Sequence, residues 1–213
     1  MSHSKINATP KTWPIPRKGK TFIVNPKSTG IPLIVIMRDI LNLVGTRKEL
    51  KRIIHEKNIT VSGKEVYDEK KNIELFDTIS LKPLKKSYRL TFDEKGKYSL
   101  EEIKDSDALS KISKIVNKKT LKKKKSQINL FDGRNYLTDQ KVSVNDSVLI
   151  DLKGHSIKKV LPFKEKANVL VIGGKHTGKI GTVEKINNEL KMAEIKTKQG
   201  KFNVLIKQLM VTE

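Results

Sequence analysis

One stretch of the chain, "TRKELKRIIHEK", places its apolar residues at the spacing of a helix. Leu50, Ile53 and Ile54 fall at i, i+3 and i+4, so they share one face. Thr46 followed by Glu49 is a capping box, in which each side chain accepts the backbone N–H of the other residue. The pattern therefore predicts a helix that begins directly after Thr46.

The residues after this helix change to an alternating pattern. The stretch "ITVSGKEV" predicts a hairpin that turns at Ser62–Gly63, and "FDTISL" predicts a strand that returns over residues 76–81. Asn58 suits the left-handed conformation in which many helices end. A helix followed by a hairpin and a returning strand is thus the predicted order over residues 46–81.

An earlier helix is predicted from Pro32 to about Val44. Proline is favoured in the first turn of a helix, and Gly45 is suited to the position after the last turn. Ile34, Val35 and Ile36 are β-branched, so a buried strand is the alternative for this segment.

Most of the remaining chain alternates with a period of two. Between residues 83 and 166, the segments "YRLTF", "KYSLEEI", "QINLFDGRNYL" and "VSVNDSVLIDL" predict strands, and "SDALSKISKIV" is ambiguous but favours one. "KKTLKKKK", at Lys118–Lys125, is a basic loop of low complexity. From residue 167 onward, "NVLVI", "KIGTVEKI", "MAEIKTK" and "KFNVLI" predict four strands of a small β-barrel.

These patterns predict an α+β, multi-domain protein. We expect an extended basic N-terminal arm over residues 1–30, in which Trp13 either stacks on a base or packs on the next domain. A small α/β domain follows over residues 31–82, then a central β-rich domain over 83–166, and finally a β-barrel over 167–213.

The charge of the chain indicates a polyanionic partner. The 213 residues carry a formal net charge of +22, and the four regions contribute +6 (residues 1–40), +2 (41–83), +10 (84–166) and +4 (167–213). Lysine and arginine bind nucleic acid by releasing counterions from the phosphates. An anionic membrane is the rival partner, but the chain shows neither a basic amphipathic helix with a bulky apolar face nor a lipidation signal.

Composition also limits the kinds of site and segment that the chain can contain. The chain has no cysteine, so disulfides and cysteine-bound zinc are excluded, and its four histidines are too scattered to indicate a metal site. We therefore expect no metal and no cofactor. The polar N-terminal sequence does not resemble a secretory signal, and the longest apolar run, residues 31–37, is too short to span a membrane. A soluble, intracellular protein is the expectation.

One segment resembles a nucleotide-binding loop but fails its requirements. Gly173, Gly178 and Lys179 have the right spacing, yet Ile180 replaces the Ser or Thr whose hydroxyl would bind Mg²⁺. The residues after Lys179 alternate like a strand, whereas a phosphate loop must open a helix. Elsewhere the chain has no nucleophile elbow and no cysteine nucleophile, and acidic residues such as Asp132 and Asp146 sit in turn sequences where they are expected. We predict that the protein is not an enzyme.

Two modules in the chain resemble known RNA-binding units. "VLVIGGKHTGKIGTVEKI" is similar to the KOW motif, a strand-turn-strand unit with a basic loop and a glycine, here Gly181, between apolar residues. "TRKELKRIIHEKNITVSGKEV" resembles the small RNA-binding domain first recognised in bacterial ribosomal protein S-four. In that family the hairpin carries an apolar-x-apolar-x-Gly pattern, here Ile59, Val61 and Gly63, and many members have glycine where this chain has Asn58.

The order of the modules resembles one family, the archaeal/eukaryotic type of small-subunit ribosomal protein four. "WPIPRKGK", "PLIVIMRDIL", "FDTISL", "LFDGRN", "VNDSVLIDL" and "VIGGKHTGKIGTV" follow one another as in that family. The basic segment before the arm is shortened and the eukaryotic C-terminal extension is absent, which favours an archaeal-type member. The resemblance implies a C-terminal SH3-like barrel and a structural constituent of the small ribosomal subunit, located on the cytoplasmic ribosome.

The partners implied are small-subunit ribosomal RNA and neighbouring ribosomal proteins, with neither DNA nor a membrane. The residues predicted to contact RNA are cations of the arm, the second helix, the central domain and the last glycine-rich turn: Arg17, Lys18, Lys20, Arg47, Lys48, Lys51, Arg52, Lys122, Lys123, Lys124, Lys125, Arg134, Lys175, His176 and Lys179. Two alternatives stay open at this point. One is an RNA-modifying enzyme, because such enzymes carry the same small basic-helix domain, and the other is a KOW-containing transcription elongation factor.

Overall fold

The computed structural model describes residues 3–25, 28, 30–121, 125–197 and 200–212. The chain divides into two compact units. The first comprises Met1–Asp93 and Lys97–Leu109, and the second comprises Glu94–Gly96 and Ser110–Glu213. Both units consist mainly of antiparallel strands, so the chain is β-rich with few helices.

Three kinds of helix are present in the described residues. Helix α1 covers Leu33–Val35 and continues as a wider π-helical turn over Ile36–Ile40, and helix α2 covers Arg47–His55. Short 3₁₀ turns cover Ile6–Ala8, Asp107–Leu109 and Ile206–Gln208.

The described residues of the first unit form nine strands. In chain order they are β1 (His3–Lys5), β2 (Phe22–Val24), β3 (Ile31–Pro32), β4 (Ile59–Val61), β5 (Lys64–Glu65), β6 (Asn72–Ile73), β7 (Thr78–Leu81), β8 (Lys86–Phe92) and β9 (Tyr98–Ile103). Its main sheet has the order β5-β4-β7-β8-β9, and two small pairs, β1-β2 and β3-β6, complete it. Helix α2 contributes Leu50 and Ile54 to the buried core, as its apolar stripe predicts.

In the part of the second unit that the structure describes, the strands form two five-stranded antiparallel sheets. Its strands are β10 (Ser110–Thr120), β11 (Ser126–Leu130), β12 (Asn135–Thr138), β13 (Ser147–Asp151), β14 (Ser156–Leu161), β15 (Asn168–Val171), β16 (Ile180–Asn187), β17 (Met192–Thr197), β18 (Gly200–Leu205) and β19 (Leu209–Val211). The sheets have the orders β12-β11-β10-β13-β14 and β18-β17-β16-β15-β19. One apolar core includes Ile128 and Val148, and another includes Val183 and Ile195.

Several local predictions are confirmed. Thr46 and Glu49 form the capping box of helix α2, and the β4–β5 hairpin turns at Ser62 and Gly63, which have φ angles of 48° and 75°. Positive φ at both central residues is the geometry of a tight hairpin turn. The ambiguous segment over residues 106–116 is a strand only from Ser110 onward, where β10 begins, and Asp107–Leu109 form a 3₁₀ turn.

The first helix is shorter than predicted. Pro32 is its N-cap and not part of its first turn, and the helix ends at Ile40 because Asn42 takes a left-handed φ of 52°. At the end of helix α2, Lys57 with a φ of 54° has the left-handed conformation predicted for Asn58. In both places the local signal identified the helix but not the residue that ends it.

The N-terminal segment departs from the extended arm that we predicted. Strand β1 pairs with strand β2, and the backbone carbonyl of Thr12 accepts a hydrogen bond of 2.8 Å from the Tyr98 N–H. Trp13 is only 1% exposed, so its ring is buried and is not free to stack on a base. Burial of this large apolar side chain folds the segment onto the unit.

Two further differences concern strands. Strand pairing runs without a break across residue 83, since β7 pairs with β8 and β8 with β9. The predicted boundary between a small α/β domain, residues 31–82, and a central domain, residues 83–166, therefore stays a prediction. In the C-terminal sheet, strand β19 adds a fifth strand to the four predicted, because the short apolar run at Leu209–Val211 pairs with β15.

Candidate nucleic-acid interface

Helix α2 carries the largest cluster of predicted RNA contacts. Arg47, Lys48, Lys51, Arg52 and His55 are all exposed. At about 100° per residue these positions lie within an arc of about 140°. The buried positions Leu50 and Ile54 point to the core, so burial of the apolar stripe turns the basic face toward solvent.

The arginines of this face already have partners within the chain. Arg47 Nε donates a 2.7 Å hydrogen bond to Oε1 of the buried Glu69, and Arg52 Nε lies 3.1 Å from Glu56 Oε1. Burial alone would raise the pKa of Glu69, but the bond from Arg47 and the charges of Arg47 and Lys51 hold the pKa below its ordinary value. Lys48 forms no ion pair with any described carboxylate, so it is the more available cation.

The cations of the N-terminal segment fall into three different environments. The guanidinium of Arg17 donates to the backbone carbonyls of Thr9 and Pro10, at 3.1 and 3.2 Å, and thus holds the segment's turn. Lys20 Nζ lies 3.1 Å from Asp39 Oδ1. Lys18 is exposed. Of these three predicted RNA contacts, Arg17 therefore stabilises the N-terminal segment itself.

The cations predicted as RNA contacts in the central domain also lie in different environments. Lys122, Lys123 and Lys124 lie outside the described residues, and Lys125 is exposed. Arg134 Nε is 3.6 Å from Asp132 Oδ2, and the same carboxylate oxygen accepts a 2.8 Å bond from Lys111 Nζ. Arg134 thus borders a buried ion pair.

The glycine-rich turn between β15 and β16 brings its three predicted residues together. The His176 ring stacks on Phe202, with 4.1 Å between the ring centroids, and Lys179 Nζ lies 5.3 Å from the centroid of the same ring. Lys175 is exposed beside them. Desolvation, together with the charges of Lys179 and Lys175, lowers the pKa of His176. The lowered pKa favours the neutral imidazole, so the two lysines carry the positive charge of the turn.

The backbone of this turn rules out the nucleotide-binding alternative. Lys179 is followed by strand β16, and no helix begins there. A Cβ atom on Gly181 would lie 2.5 Å from the backbone oxygen of Lys196, so close strand packing requires glycine at this position. Across the described ranges, no group of three or more His, Asp or Glu side chains could hold a metal, and no helix is long and apolar enough to cross a membrane.

Sequence patterns missed three residues that shape these surfaces. Phe202 supports the turn, Glu69 orients Arg47, and Asp132 joins Lys111 to Arg134. Alternation in "KFNVLI" places Phe202 on a strand but does not pair it with a turn more than twenty residues earlier. The pairs of Glu69 with Arg47 and of Asp132 with Lys111 have no local signal, because the partners lie 22 and 21 residues apart.

Comparison with known proteins decides the family. The sequence model of Ribosomal family S4e matches residues 84–157, and the KOW motif model matches residues 165–196. The chain is 40% identical over 187 residues to the small ribosomal subunit protein eS4 of Archaeoglobus fulgidus, covering 85% of this chain and 79% of that protein. The chain belongs to the eS4 family.

Further relatives extend the eS4 match to nearly the whole chain. The eS4 protein of Korarchaeum cryptofilum is 34% identical over 216 residues, covering 98% of this chain and 92% of that protein. The crystal structure of the 30S ribosomal protein S4e from Thermoplasma acidophilum superposes with a TM-score of 0.74 at 24% identity, over 87% of this chain and 95% of that one. This structural likeness supports the fold.

Proposed function

We propose that this protein is a non-enzymatic, structural constituent of the small ribosomal subunit and binds ribosomal RNA through basic surfaces on both of its units. The observation that carries the proposal is its membership of the eS4 family, whose relatives are named as small-subunit ribosomal proteins. Neighbouring small-subunit proteins are the other expected partners, and the cytoplasmic ribosome is the expected location.

The distribution of exposed cations supports this function. Lys48 and Lys51 on helix α2, Lys18 in the N-terminal segment, and Lys125 and Lys175 in the second unit are all exposed. Each can neutralise a phosphate and release its counterion. Folded RNA is bound mainly through its shape, phosphates and 2′-hydroxyls, so we expect weak sequence preference.

The domain roles are part of the same proposal. We assign helix α2 and the β4–β5 hairpin to an S-four-like RNA-binding domain, and residues 167–213 to an SH3-like KOW barrel. The basic helix face and the turn around Phe202 support these assignments. An RNA-modifying enzyme would need its catalytic domain within residues 83–166, and the ribosomal family model occupies most of that span.

Sedimentation of a gentle cell lysate through a sucrose gradient tests the proposed function. The chain should migrate with small ribosomal subunits and leave them only at raised salt, because its contacts are with phosphates. Migration as free protein, or with RNA polymerase, would contradict the proposal and favour the elongation-factor alternative.

A further inference from the structure

The outer face of strands β10, β11 and β12 carries a row of side-chain amides. Asn117 is paired with Asn129, and Asn129 with Asn135, so the three side chains lie side by side across three strands. Ile128 and Leu130, which alternate with Asn129, belong to the buried core. The asparagines therefore face outward. The next row on this face consists of Lys119, Gln127 and Leu137. We call these six residues the amide face.

Folding alone does not account for this row. Asparagine is depleted in strands, because β-branched and aromatic residues fit the pleated surface better. The Asn129 side-chain oxygen accepts a 3.3 Å bond from Gln127, and that of Asn117 accepts the Lys118 N–H. No side-chain amide nitrogen of the three asparagines donates to another described residue. Three neighbouring donors are thus left facing outward on an exposed sheet.

The chemistry of the amide face fits one kind of ligand. Building on the proposed function, we propose that the amide face binds the shallow minor groove of double-helical RNA. Neighbouring strands are about 4.8 Å apart, so the amide row forms a nearly flat platform about 10 Å wide. The minor groove of RNA is wide and shallow and displays 2′-hydroxyls and base edges, which both donate and accept hydrogen bonds.

Charge supports an RNA partner over a protein one. The amide face contains one lysine, Lys119, and no carboxylate. The exposed Lys125 lies directly before strand β11. None of the six residues is aromatic, so the face offers no ring for stacking an unpaired base. Double-helical RNA fits this combination. The uncharged amides would face its groove, and the lysines would reach the phosphates that flank the groove.

The experiment measures binding of the full chain to deproteinised small-subunit rRNA as a function of salt. In the test variant, Asn117→Ala, Asn129→Ala and Asn135→Ala are combined. The control variant combines Asn188→Ala, in the turn after strand β16, with Asn203→Ala, in strand β18, and both residues are exposed. At fixed salt the test variant should bind at least about tenfold more weakly, since three hydrogen bonds are lost. Its log-affinity against log-salt slope should not change, because no charge is removed.

The outcomes separate the two proposals. Equal binding by the test variant and the native chain, or an equal loss in the control variant, overturns the role of the amide face and leaves the proposed function standing. No salt-dependent binding by the native chain overturns both. If the alanine variant does not fold, as judged by its thermal unfolding, Asn→Val at the same three positions supplies strand formers without amides. That variant should lose the same affinity.

Discussion

Helix α2 and the first half of strand β10 use the same residue type in opposite ways. The lysines of α2, Lys48 and Lys51, stand on an exposed face. The lysines of β10, Lys111 and Lys114, are 1% and 2% exposed. Lys111 pairs with Asp132, while Lys114 Nζ donates a 2.7 Å hydrogen bond to the backbone carbonyl of Ile206.

This difference shows that a strongly basic composition does not reveal which lysines can form an RNA interface. The buried lysines join parts of the second unit. Ile206 precedes strand β19, and the hydroxyl of Ser147 on strand β13 accepts a 2.9 Å bond from the Val211 N–H nearby. Substitutions in the two regions can separate these roles through the free energy of unfolding that each one changes.

The largest effect is expected for Lys111→Met. Removing the ammonium leaves Asp132 buried, with Arg134, 3.6 Å away, as its remaining ion-pair partner among the described residues. The free energy of unfolding should fall by about 3 kcal/mol, as for other broken buried pairs. Urea unfolding followed by circular dichroism measures it.

A second substitution checks the cause. Asp132→Asn in the Lys111→Met background removes the buried carboxylate charge. It keeps an oxygen that can accept the hydrogen bond of 3.1 Å from the backbone N–H of Arg134. It should restore at least half of the lost free energy. A double variant that is weaker than the single one would show that packing, and not charge, explains the loss.

The next effect concerns Lys114 and depends on pH. Desolvation lowers the pKa of Lys114 to about 8 from the ordinary lysine value of 10.5. A lowered lysine pKa means that the unfolded state binds more protons between these values, so stability rises with pH in that window. Between pH 7 and pH 10, the native chain should gain on the order of 2 kcal/mol relative to Lys114→Met.

The Lys114→Met variant supplies the reference, because it keeps every other ionisable group of the native chain. Unfolding curves at several pH values give the difference between the two chains. A difference that stays constant from pH 7 to pH 10 would mean that Lys114 titrates normally and is not desolvated in solution.

A smaller effect is expected at the start of helix α2. Thr46→Ala removes the hydroxyl that accepts the Glu49 N–H, so the free energy of unfolding should fall by about 1 kcal/mol. Thr46→Ser retains the hydroxyl and is the matched control. Equal stabilities of the alanine and serine variants, measured by urea unfolding, would count against the cap.

The smallest change in stability is expected where RNA binding should change most. Lys48→Ala with Lys51→Ala removes two exposed side chains, so the free energy of unfolding should shift by less than about 0.5 kcal/mol. The log-affinity against log-salt slope for rRNA should become shallower by about one to two, because each phosphate contact contributes about 0.7–0.9. Lys48→Arg with Lys51→Arg should keep the native slope, and a shallower slope in that control would contradict the assignment.

How much could be predicted from sequence follows from the distance between interacting residues. Helix α2 and its hairpin were predictable because the capping box and the Ser62–Gly63 turn act over three or four residues. The family was predictable because several such local modules occur in a fixed order. The KOW-like turn was predictable from Gly181 and its apolar neighbours.

Long-range contacts account for what sequence did not predict. The folded N-terminal segment depends on burial of Trp13 and on Tyr98, which lies more than eighty residues away. The buried pair of Lys111 and Asp132 joins two segments separated by 21 residues. Composition does not reveal that Lys111 is buried, since a buried lysine and an exposed one count alike in the net charge.

Amine labelling with mass spectrometry tests the central claim most directly, that exposed lysines bind ribosomal RNA while buried ones hold the fold. Each lysine's acetylation rate would be compared in the free protein and in intact small subunits. Lys48, Lys51 and Lys175 should react in the free protein and be protected in the subunit, while Lys111 and Lys114 should be protected in both. Equal reactivity of Lys48, Lys51 and Lys175 in the two states would contradict the account.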